Sequence, residues 1–236
     1  ATEGEILLNG TDITHVRGGE LRTVREQMQI VFQDPYSSLN PRMRIESTIM
    51  EPLKRSGRFR SRSELRDEAS RLMDLVGVDE RLRRSYPHEL DGGRRQRVGI
   101  ARALALNPEF IVCDEPVSAL DVSIQAQVLN LLMDLQEKSG AAYMFVTHDL
   151  SVVRHISDNI CVMYLGQLVE KAPSAELFAH TLHPYTKALL SAIPSTDILH
   201  PMKRLPLKGE ITSPINPKPG CRFYSRCPYA AEACRH

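Results

Sequence analysis

The chain lacks several features that would place it in large classes of proteins. It has no tryptophan, and no apolar run reaches the ~18 residues that a transmembrane helix needs. It has no excess of charge, since 30 basic residues stand against 29 acidic ones. Because nucleic-acid binding favours a clearly basic face, this balance argues against that function. The first residues are polar, so we predict no signal peptide.

Cysteine is scarce and its count is odd. Five cysteines in a chain without a predicted signal peptide argue against a disulfide framework and for the cytosol. Cys113 and Cys161 lie in apolar runs, which predicts reduced core residues. Cys221, Cys227 and Cys234 cluster near the end with spacing C-x5-C-x6-C, too wide for the C-x2-C pairs of common zinc sites. From spacing alone, they are three reduced thiols.

The apolar pattern predicts a parallel α/β core. Strands are predicted at Met28–Phe32, Phe110–Cys113 and Ala142–Val146, and helices at Arg94–Leu106 and Ile124–Lys138. The second and third strands are apolar throughout, which is typical of strands buried on both faces of a parallel sheet. Strands that alternate with helices along the chain indicate the α/β class.

Two other regions differ from this core. The stretch 37–90 is rich in Arg, Glu and Ser, and its apolar residues recur at helical spacing, which predicts an inserted helical subdomain. From Pro194 onward prolines are dense, which predicts an extended tail rather than a second core. We therefore predict one α/β domain over 1–193, with the helical insertion, and a Pro-rich tail over 194–236.

Two carboxylates follow one of the predicted buried strands. Asp114 and Glu115 come directly after Phe110–Cys113, where α/β sheets present groups to nucleotides. Asp114 is placed to hold Mg²⁺, and Glu115 can polarise an attacking water. A strand followed by an ordinary charged turn explains these residues equally well.

Three further motifs lie near predicted strand and helix ends. The run 90–97 contains Gly92 and Gly93 at a helix start, where open backbone N–H groups and the helix dipole favour a phosphate. An ordinary glycine turn before a basic helix is the alternative. Gln33 and His148 each follow a predicted strand, and taken singly each is an unremarkable polar residue.

Taken in order, these motifs resemble one family. Gln33 resembles the Q-loop of ABC ATPases, 90–97 the signature motif, Asp114-Glu115 the end of Walker B, 118–121 the D-loop, and His148 the switch histidine. The resemblance implies a P-loop NTPase-like ABC ATPase core that binds ATP and Mg²⁺ and hydrolyses ATP.

Over much of the chain the resemblance is more specific, and it is to the oligopeptide and dipeptide importer branch of the family. The segments that carry it are 33–41, 86–90, 115–123, 183–186, 213–217 and 220–223. It implies a nucleotide-binding subunit that couples ATP hydrolysis to import of peptides, or of another small solute such as nickel. The implied partners are a second ATPase subunit (identical or different), two transmembrane permeases and an extracytoplasmic solute-binding protein. The implied location is the cytoplasmic face of the membrane, as a peripheral subunit.

The resemblance also implies roles for individual residues. Glu115 would be the general base, Gln33 and Asp114 would serve Mg²⁺ and the water, and His148 would contact the γ-phosphate. The implied nucleotide contacts are Asp91, Gly92, Gly93, Gln96 and Asp121. In the same way, the three C-terminal cysteines, Cys221, Cys227 and Cys234, resemble part of a [4Fe–4S] site that needs a fourth ligand.

The sequence departs from the family's pattern at two places. It contains no G-x-x-x-x-G-K-[ST] string, whose amides and lysine hold phosphates in the family. That loop lies upstream of the segment that resembles Gly4–Leu7, so we expect the chain to begin after it and to be inactive alone. Asp91 occupies a position where serine is commonest. It either caps the next helix or marks a weak nucleotide site.

Two rival classes remain from the sequence. One is an ABC ATPase that works outside transport, for example in DNA repair or translation, and the tail at 213–234 argues against it. The other is a non-catalytic binding module of the same family. The missing loop and Asp91 favour that module, whereas Glu115 and His148 argue against it.

Overall fold

The computed structural model describes residues 2–193, 204–207, 209, 215 and 219–235. The chain divides into two compact units, 1–147 and 148–236. This division falls earlier than the predicted domain boundary at residue 193. Residue 194 lies outside the described residues, so the predicted boundary stays a prediction.

The first unit opens with a small hairpin and a helix. Strands β1 (Leu7–Leu8) and β2 (Thr11–Asp12) pair antiparallel. Asn9 and Gly10 turn the chain between them with φ of 50° and 79°. These left-handed values suit a two-residue hairpin turn whose twist matches that of the strands. Helix α1 (Gly18–Gln27), which the sequence analysis did not predict, leads into the sheet.

A three-stranded parallel sheet forms the centre of the first unit. Its strands are β3 (Met28–Val31), β4 (Phe110–Asp114) and β5 (Ala142–Val146), with β4 in the middle. The three predicted strands are confirmed to within one residue at each end. Asp114 lies opposite Val146, so the carboxyl ends of β4 and β5 meet at one edge.

Burial within this sheet differs from the prediction. In β4, Ile111 and Cys113 are 1% and 0% exposed, as predicted. In β5, Met144 and Val146 are 48% and 43% exposed. The prediction that β5 is a buried strand is therefore wrong. Within the part of the chain that the structure describes, β5 pairs with β4 alone.

The stretch 37–90 is helical, as predicted from its spacing. It holds the end of α2 (Pro35–Ser38), then α3 (Ile45–Ser56) and α4 (Arg62–Leu75). Helix α4 begins where the Ser61 hydroxyl accepts a hydrogen bond from the Glu64 amide at 3.1 Å, a standard N-cap. Helices α3 and α4 pack against each other. Their large fully buried side chains are Ile45, Ile49, Leu53, Leu72 and Met73. Two 3₁₀ turns follow, at Glu80–Arg84 and Pro87–Glu89.

Two long helices flank β4 in sequence. They are α5 (Gly92–Leu104) and α6 (Val122–Ser139), and each begins two residues before its predicted start. Helix α6 ends at Gly140, whose φ is 68° and whose amide donates to the Gln136 carbonyl at 2.8 Å. Glycine takes this left-handed C-cap without the steric cost that other residues have.

The second unit begins with helix α7 (Leu150–Ile156) and a hairpin. Strands β6 (Asn159–Tyr164) and β7 (Gln167–Pro173) pair antiparallel, with the turn at Leu165 and Gly166. Two short helices follow, α8 (Ser174–Ala179) and α9 (Pro184–Ser191). The buried core of this unit comes from α7, β6 and α8: Val153, Ile160, Val162 and Leu177.

A buried phenylalanine anchors the described part of the tail. Phe223 is 1% exposed, and its ring lies 5.1 Å from Tyr164, 5.6 Å from Tyr185 and 5.4 Å from His183 between centroids. Two 3₁₀ turns, Tyr224–Arg226 and Glu232–Arg235, follow it. Most of the prolines that predict an extended tail lie outside the described residues. Among the residues described, no helix combines the length and apolar character needed to cross a membrane.

Candidate functional site

Glu115 leaves the sheet in an unusual backbone conformation. It follows the last residue of β4, Asp114, and has φ of 43°. A left-handed conformation is uncommon for a residue with a long side chain, and such residues cluster at functional sites. The Glu115 amide donates to the Val146 carbonyl at 2.9 Å, and its carbonyl accepts from the Ser118 amide at 3.2 Å. These bonds hold the turn that directs the carboxylate.

Gln33 and Glu115 meet at the carboxyl edge of the sheet. They are 82 residues apart, and Gln33 Nε2 donates a hydrogen bond to Glu115 Oε2 at 2.6 Å. The contact arises because β3 and β4 are parallel neighbours, so the residues that follow them lie side by side. An amide donor on one carboxylate oxygen orients the group.

The oxygen donors at this edge fit a magnesium ion. Asp114 and Glu115 are both half-buried, and Gln33 adds an amide oxygen. Mg²⁺ in phosphate-transferring sites takes one or two carboxylates together with waters and substrate phosphates, so it does not require a cage of several acidic residues. When bound, Mg²⁺ neutralises charge on the phosphates. The sequence provides no Gly-Lys phosphate loop beside these donors.

Asp91 caps helix α5. Its Oδ1 accepts a hydrogen bond from the Arg94 amide at 2.7 Å, and its Oδ2 lies 3.2 Å from Arg94 Nη1. Of the two roles that the sequence left open, the capping role is therefore the one present in this structure. Removing such a cap costs a helix about 1 kcal/mol.

The paired glycines of α5 have a packing role that the sequence analysis missed. A Cβ added at Gly93 would lie 2.5 Å from Ile124 Cγ2 of α6, closer than real side chains approach. A Cβ at Gly92 would lie 3.2 Å from Leu120 Cδ2. Glycine at position 93 is thus required by the approach of α5 to α6. A clash between residues 31 positions apart leaves no local sequence signal.

Two other predicted nucleotide contacts lie in different surroundings. Gln96 is 1% exposed, and its Nε2 donates to the Phe32 carbonyl at 3.4 Å. The side-chain amide therefore faces the protein interior in this structure, and the nucleotide contact of Gln96 stays a prediction. Asp121 is exposed at the start of α6, where its carbonyl accepts from the Gln125 amide at 2.8 Å. Its role at the nucleotide stays a prediction.

The predicted switch histidine belongs to the second unit. His148 is exposed, and it precedes Asp149, whose carboxylate caps α7 by accepting from the Ser151 amide at 2.8 Å. The capped helix fixes the backbone that follows the histidine. The contact of His148 with a γ-phosphate stays a prediction.

The cysteines are only partly placed as predicted. Cys113 is buried as expected, whereas Cys161 is exposed, so its assignment to the core is wrong. Cys161 alternates with the buried residues of β6 and therefore points to the other face. At the C-terminus, the Cys221 amide donates to the Cys234 carbonyl at 2.9 Å. Over the described ranges, no three His, Cys, Asp or Glu side chains group as metal ligands.

Comparison with known proteins identifies the class of this fold and site. A family model described as "ABC transporter" matches residues 1–118, and one described as "Oligopeptide/dipeptide transporter, C-terminal region" matches residues 169–234. The chain belongs to the ABC transporter ATP-binding family.

Three curated relatives show how widely the likeness extends. The chain is 51% identical to a probable peptide ABC transporter ATP-binding protein of Sinorhizobium fredii, over 99% of this chain and 66% of that protein. It is 52% identical to oligopeptide transport ATP-binding protein AppF of Bacillus subtilis, over 99% and 72%. It is 51% identical to oligopeptide transport ATP-binding protein OppF of Salmonella typhimurium, over 99% and 71%. The chain thus spans about two thirds of the length of the first relative.

Solved structures support the same fold. The dimeric ATP-binding cassette MJ0796 bound to ADP and Pi matches with a TM-score of 0.66 and 31% identity, over 73% of this chain and 74% of that one. The cbiO1 subunit from Clostridium perfringens, part of the ABC transporter complex cbiONQ, matches with a TM-score of 0.66 and 28% identity, over 76% and 69%. The predicted ABC ATPase fold is confirmed.

Proposed function

We propose that this chain is the nucleotide-binding subunit of an ABC importer that couples ATP hydrolysis to uptake of peptides. The observation that carries the proposal is the 2.6 Å contact between Gln33 and Glu115, which joins two motifs at the carboxyl edge of the sheet. Relatives named for peptide transport, with about half of their residues identical, support peptide as the solute. Nickel or another small solute is the alternative cargo.

The proposed chemistry assigns each residue of the edge a step. Glu115 accepts the proton of the attacking water, and its backbone turn together with Gln33 orients the carboxylate. Asp114 and Gln33 supply oxygen ligands to Mg²⁺, and His148 contacts the γ-phosphate. A positioned general base contributes about 10²–10⁴ in rate.

The proposed assembly contains two ATPase subunits, identical or different, that close over nucleotide. Gly92 and Gly93 offer backbone N–H groups at the start of α5 to the partner's nucleotide, and Asp121 lies at the same contact. The region 37–90 docks on two permeases, to which an extracytoplasmic binding protein delivers the solute. The subunit lies at the cytoplasmic face of the membrane.

The 236-residue chain by itself is proposed to be inactive. Its sequence contains carboxylates at the site and no G-x-x-x-x-G-K-[ST] loop, and carboxylates repel a polyphosphate unless cations offset them. The exposed Met144 and Val146 of β5 also favour self-association of the isolated chain. Calorimetry with Mg-ATP tests this point. Micromolar binding to the 236-residue chain would contradict it.

An iron–sulfur cluster has less support than the ATPase site. The described positions of Cys221, Cys227 and Cys234 do not form a group of three metal ligands. Iron analysis and visible absorption of anaerobically purified full-length protein decide the question. A broad absorption band together with bound iron would support the cluster, and their absence would leave the three cysteines as plain thiols.

The decisive test of the ATPase proposal is Glu115→Gln in the full-length protein. Steady-state turnover should fall by about 10²–10⁴, because the amide cannot accept the proton, while ATP binding is retained. Glu137→Gln is the matched control, since it removes the same charge from an exposed position on α6. Turnover within threefold of the wild type would overturn the assignment of Glu115 as the general base. Wild-type protein that binds ATP without hydrolysing it would favour the non-catalytic module instead.

A further inference from the structure

Helix α5 contacts the segment around Gln33 on both sides of that residue. On one side, the buried Gln96 donates to the carbonyl of Phe32 at 3.4 Å. On the other, Arg102 Nη1 donates to the carbonyl of Ser38 at 2.7 Å. The segment 32–38 is thus fixed at its two ends by side chains of one helix.

A third contact lies between these two. The guanidinium carbon of Arg95 lies 5.0 Å from the centroid of the Tyr36 ring, within the range of a cation–π interaction. Arg95 Nε also donates to the carbonyl of Pro87 at 2.6 Å, which leads into the signature run. One side chain therefore joins the residues before α5 to the loop after Gln33.

Core packing does not explain the position of the Tyr36 ring. Tyr36 is 57% exposed, and the bond at its backbone is the cap in which its amide donates to Asp34 Oδ1 at 2.8 Å. That cap orders the backbone of α2 without using the ring. Among the described contacts of the ring, Arg95 is the cation beside it. A tyrosine that serves only as surface would tolerate replacement with little effect.

We propose that Arg95 and Tyr36 are positioning residues, which hold Gln33 against Glu115 and so link that contact to the signature helix α5. The inference rests on the proposed function for its consequence in catalysis. Gln33 is three residues from Tyr36, and its amide reaches Glu115 only while the loop keeps this course. If the start of α5 moves when it meets a partner's nucleotide, the loop 32–38 should move with it and change the position of Gln33.

The test uses Tyr36→Ser and its matched control Tyr36→Phe in the full-length protein assembled with its permeases. Tyr36→Ser removes the ring and should lower kcat by about two- to fivefold, the scale of an exposed cation–π contact. It should raise the Mg²⁺ concentration for half-maximal activity and leave the KM for ATP and the melting temperature unchanged. Tyr36→Phe keeps the ring and should behave as wild type.

A double variant separates positioning from a general effect on structure. If the ring acts through Gln33, adding Tyr36→Ser to Gln33→Ala should not lower kcat further. Multiplying effects in the double variant, or an unchanged kcat in Tyr36→Ser alone, would overturn the inference. Both outcomes leave the proposed function intact, because that function is tested separately by Glu115→Gln.

Hydrogen exchange tests the inference without any turnover. Relative to their intrinsic rates, the amides of Gln33, Asp34 and 36–38 should exchange about two- to fivefold faster in Tyr36→Ser than in Tyr36→Phe, because the stacked ring restrains the loop. Equal exchange in the two variants would overturn the positioning role even if the protein proved not to hydrolyse ATP.

Discussion

Two neighbouring strands of the same sheet, β4 and β5, have similar apolar sequences and different burial. Ile111 and Cys113 of β4 are 1% and 0% exposed, whereas Met144 and Val146 of β5 are 48% and 43% exposed. β4 is hydrogen-bonded on both sides, and β5 pairs on one side within the described residues. Apolar content therefore predicts a strand, and the neighbours of that strand decide whether it is buried.

The largest expected contrast between the strands is in thiol chemistry. Burial raises the pKa of Cys113 to about 12, because the low-dielectric interior disfavours the thiolate. A cysteine introduced by Met144→Cys lies on the exposed strand and should have the ordinary pKa of about 8.5. Since the thiolate is the nucleophile, we expect Cys113 to be alkylated at least about a thousandfold more slowly at pH 8.

Alkylation by iodoacetamide, followed residue by residue with mass spectrometry, measures this contrast. The sign of the pH dependence follows from the raised pKa of Cys113. Its rate should keep rising about tenfold per pH unit well above pH 9, whereas a thiol with the ordinary value of about 8.5 levels off. Rates within tenfold of each other at Cys113 and the introduced thiol would break the comparison.

Truncation of side chains should show the next largest difference. Ile111→Ala removes buried atoms and leaves a cavity, so the free energy of unfolding should fall by about 2–5 kcal/mol. Met144→Ala acts on a half-exposed side chain and should lower it by about 0.5 kcal/mol or less. Urea unfolding of both variants measures the difference. Equal losses would mean that β5 is as well packed as β4.

The turns that lead into the two strands should differ by a smaller amount. Gly140 has φ of 68° before β5, and Asn107 has φ of 52° before β4. Gly140→Ala should cost about 1 kcal/mol, because a Cβ disfavours this conformation. Asn107→Gly should change the free energy of unfolding by a few tenths at most, since asparagine already tolerates it. The denaturation midpoints of the two variants measure this difference. A loss of about 1 kcal/mol or more in Asn107→Gly would indicate that the asparagine side chain has another role.

The smallest effect is expected for a charge placed on the exposed strand. If β5 edges pair between molecules, Met144→Lys brings like charges together and should weaken self-association by about 0.2–1 kcal/mol. Glu137→Lys on α6 is the control, because it adds a lysine away from the strand. Sedimentation at several concentrations measures the change. The same self-association in both variants would show that β5 does not mediate it.

Helices and strands could be predicted well where the signal was local. Helix α6 was predicted to within two residues because Gly140 stops it and its apolar residues recur at helical spacing. Helix α1 was missed, since it contains two glycines at its start and none of its residues is buried. Cys161 was misplaced because β6 alternates buried and exposed residues, and an apolar run does not reveal which face each residue takes.

The sequence predicts the candidate site as separate motifs, and the contacts between their side chains are visible only in the structure. Gln33, Glu115 and Asp91 could be singled out from the sequence, because each lies in a short motif and the motifs follow one another in the order typical of the family. The buried course of Gln96 toward Phe32 could not be predicted, nor could the need for glycine at position 93. Both depend on atoms from other elements. Gln96 Nε2 lies 3.4 Å from the Phe32 carbonyl oxygen, and a Cβ at Gly93 would lie 2.5 Å from a side chain of α6.

The sequence by itself determined the family, the α/β class and the residues that carry charge at the ends of the strands. The α/β class follows from periodicity along the chain, and the family follows from the resemblance of the ordered motifs to those of ABC ATPases. Only the tertiary structure decided that Gln33 donates to Glu115, that Arg95 stacks on Tyr36, and that β4 is buried while β5 is exposed. The physical reason is that hydrogen bonding, stacking and burial depend on the distance between atoms in space, which residues far apart in sequence jointly set.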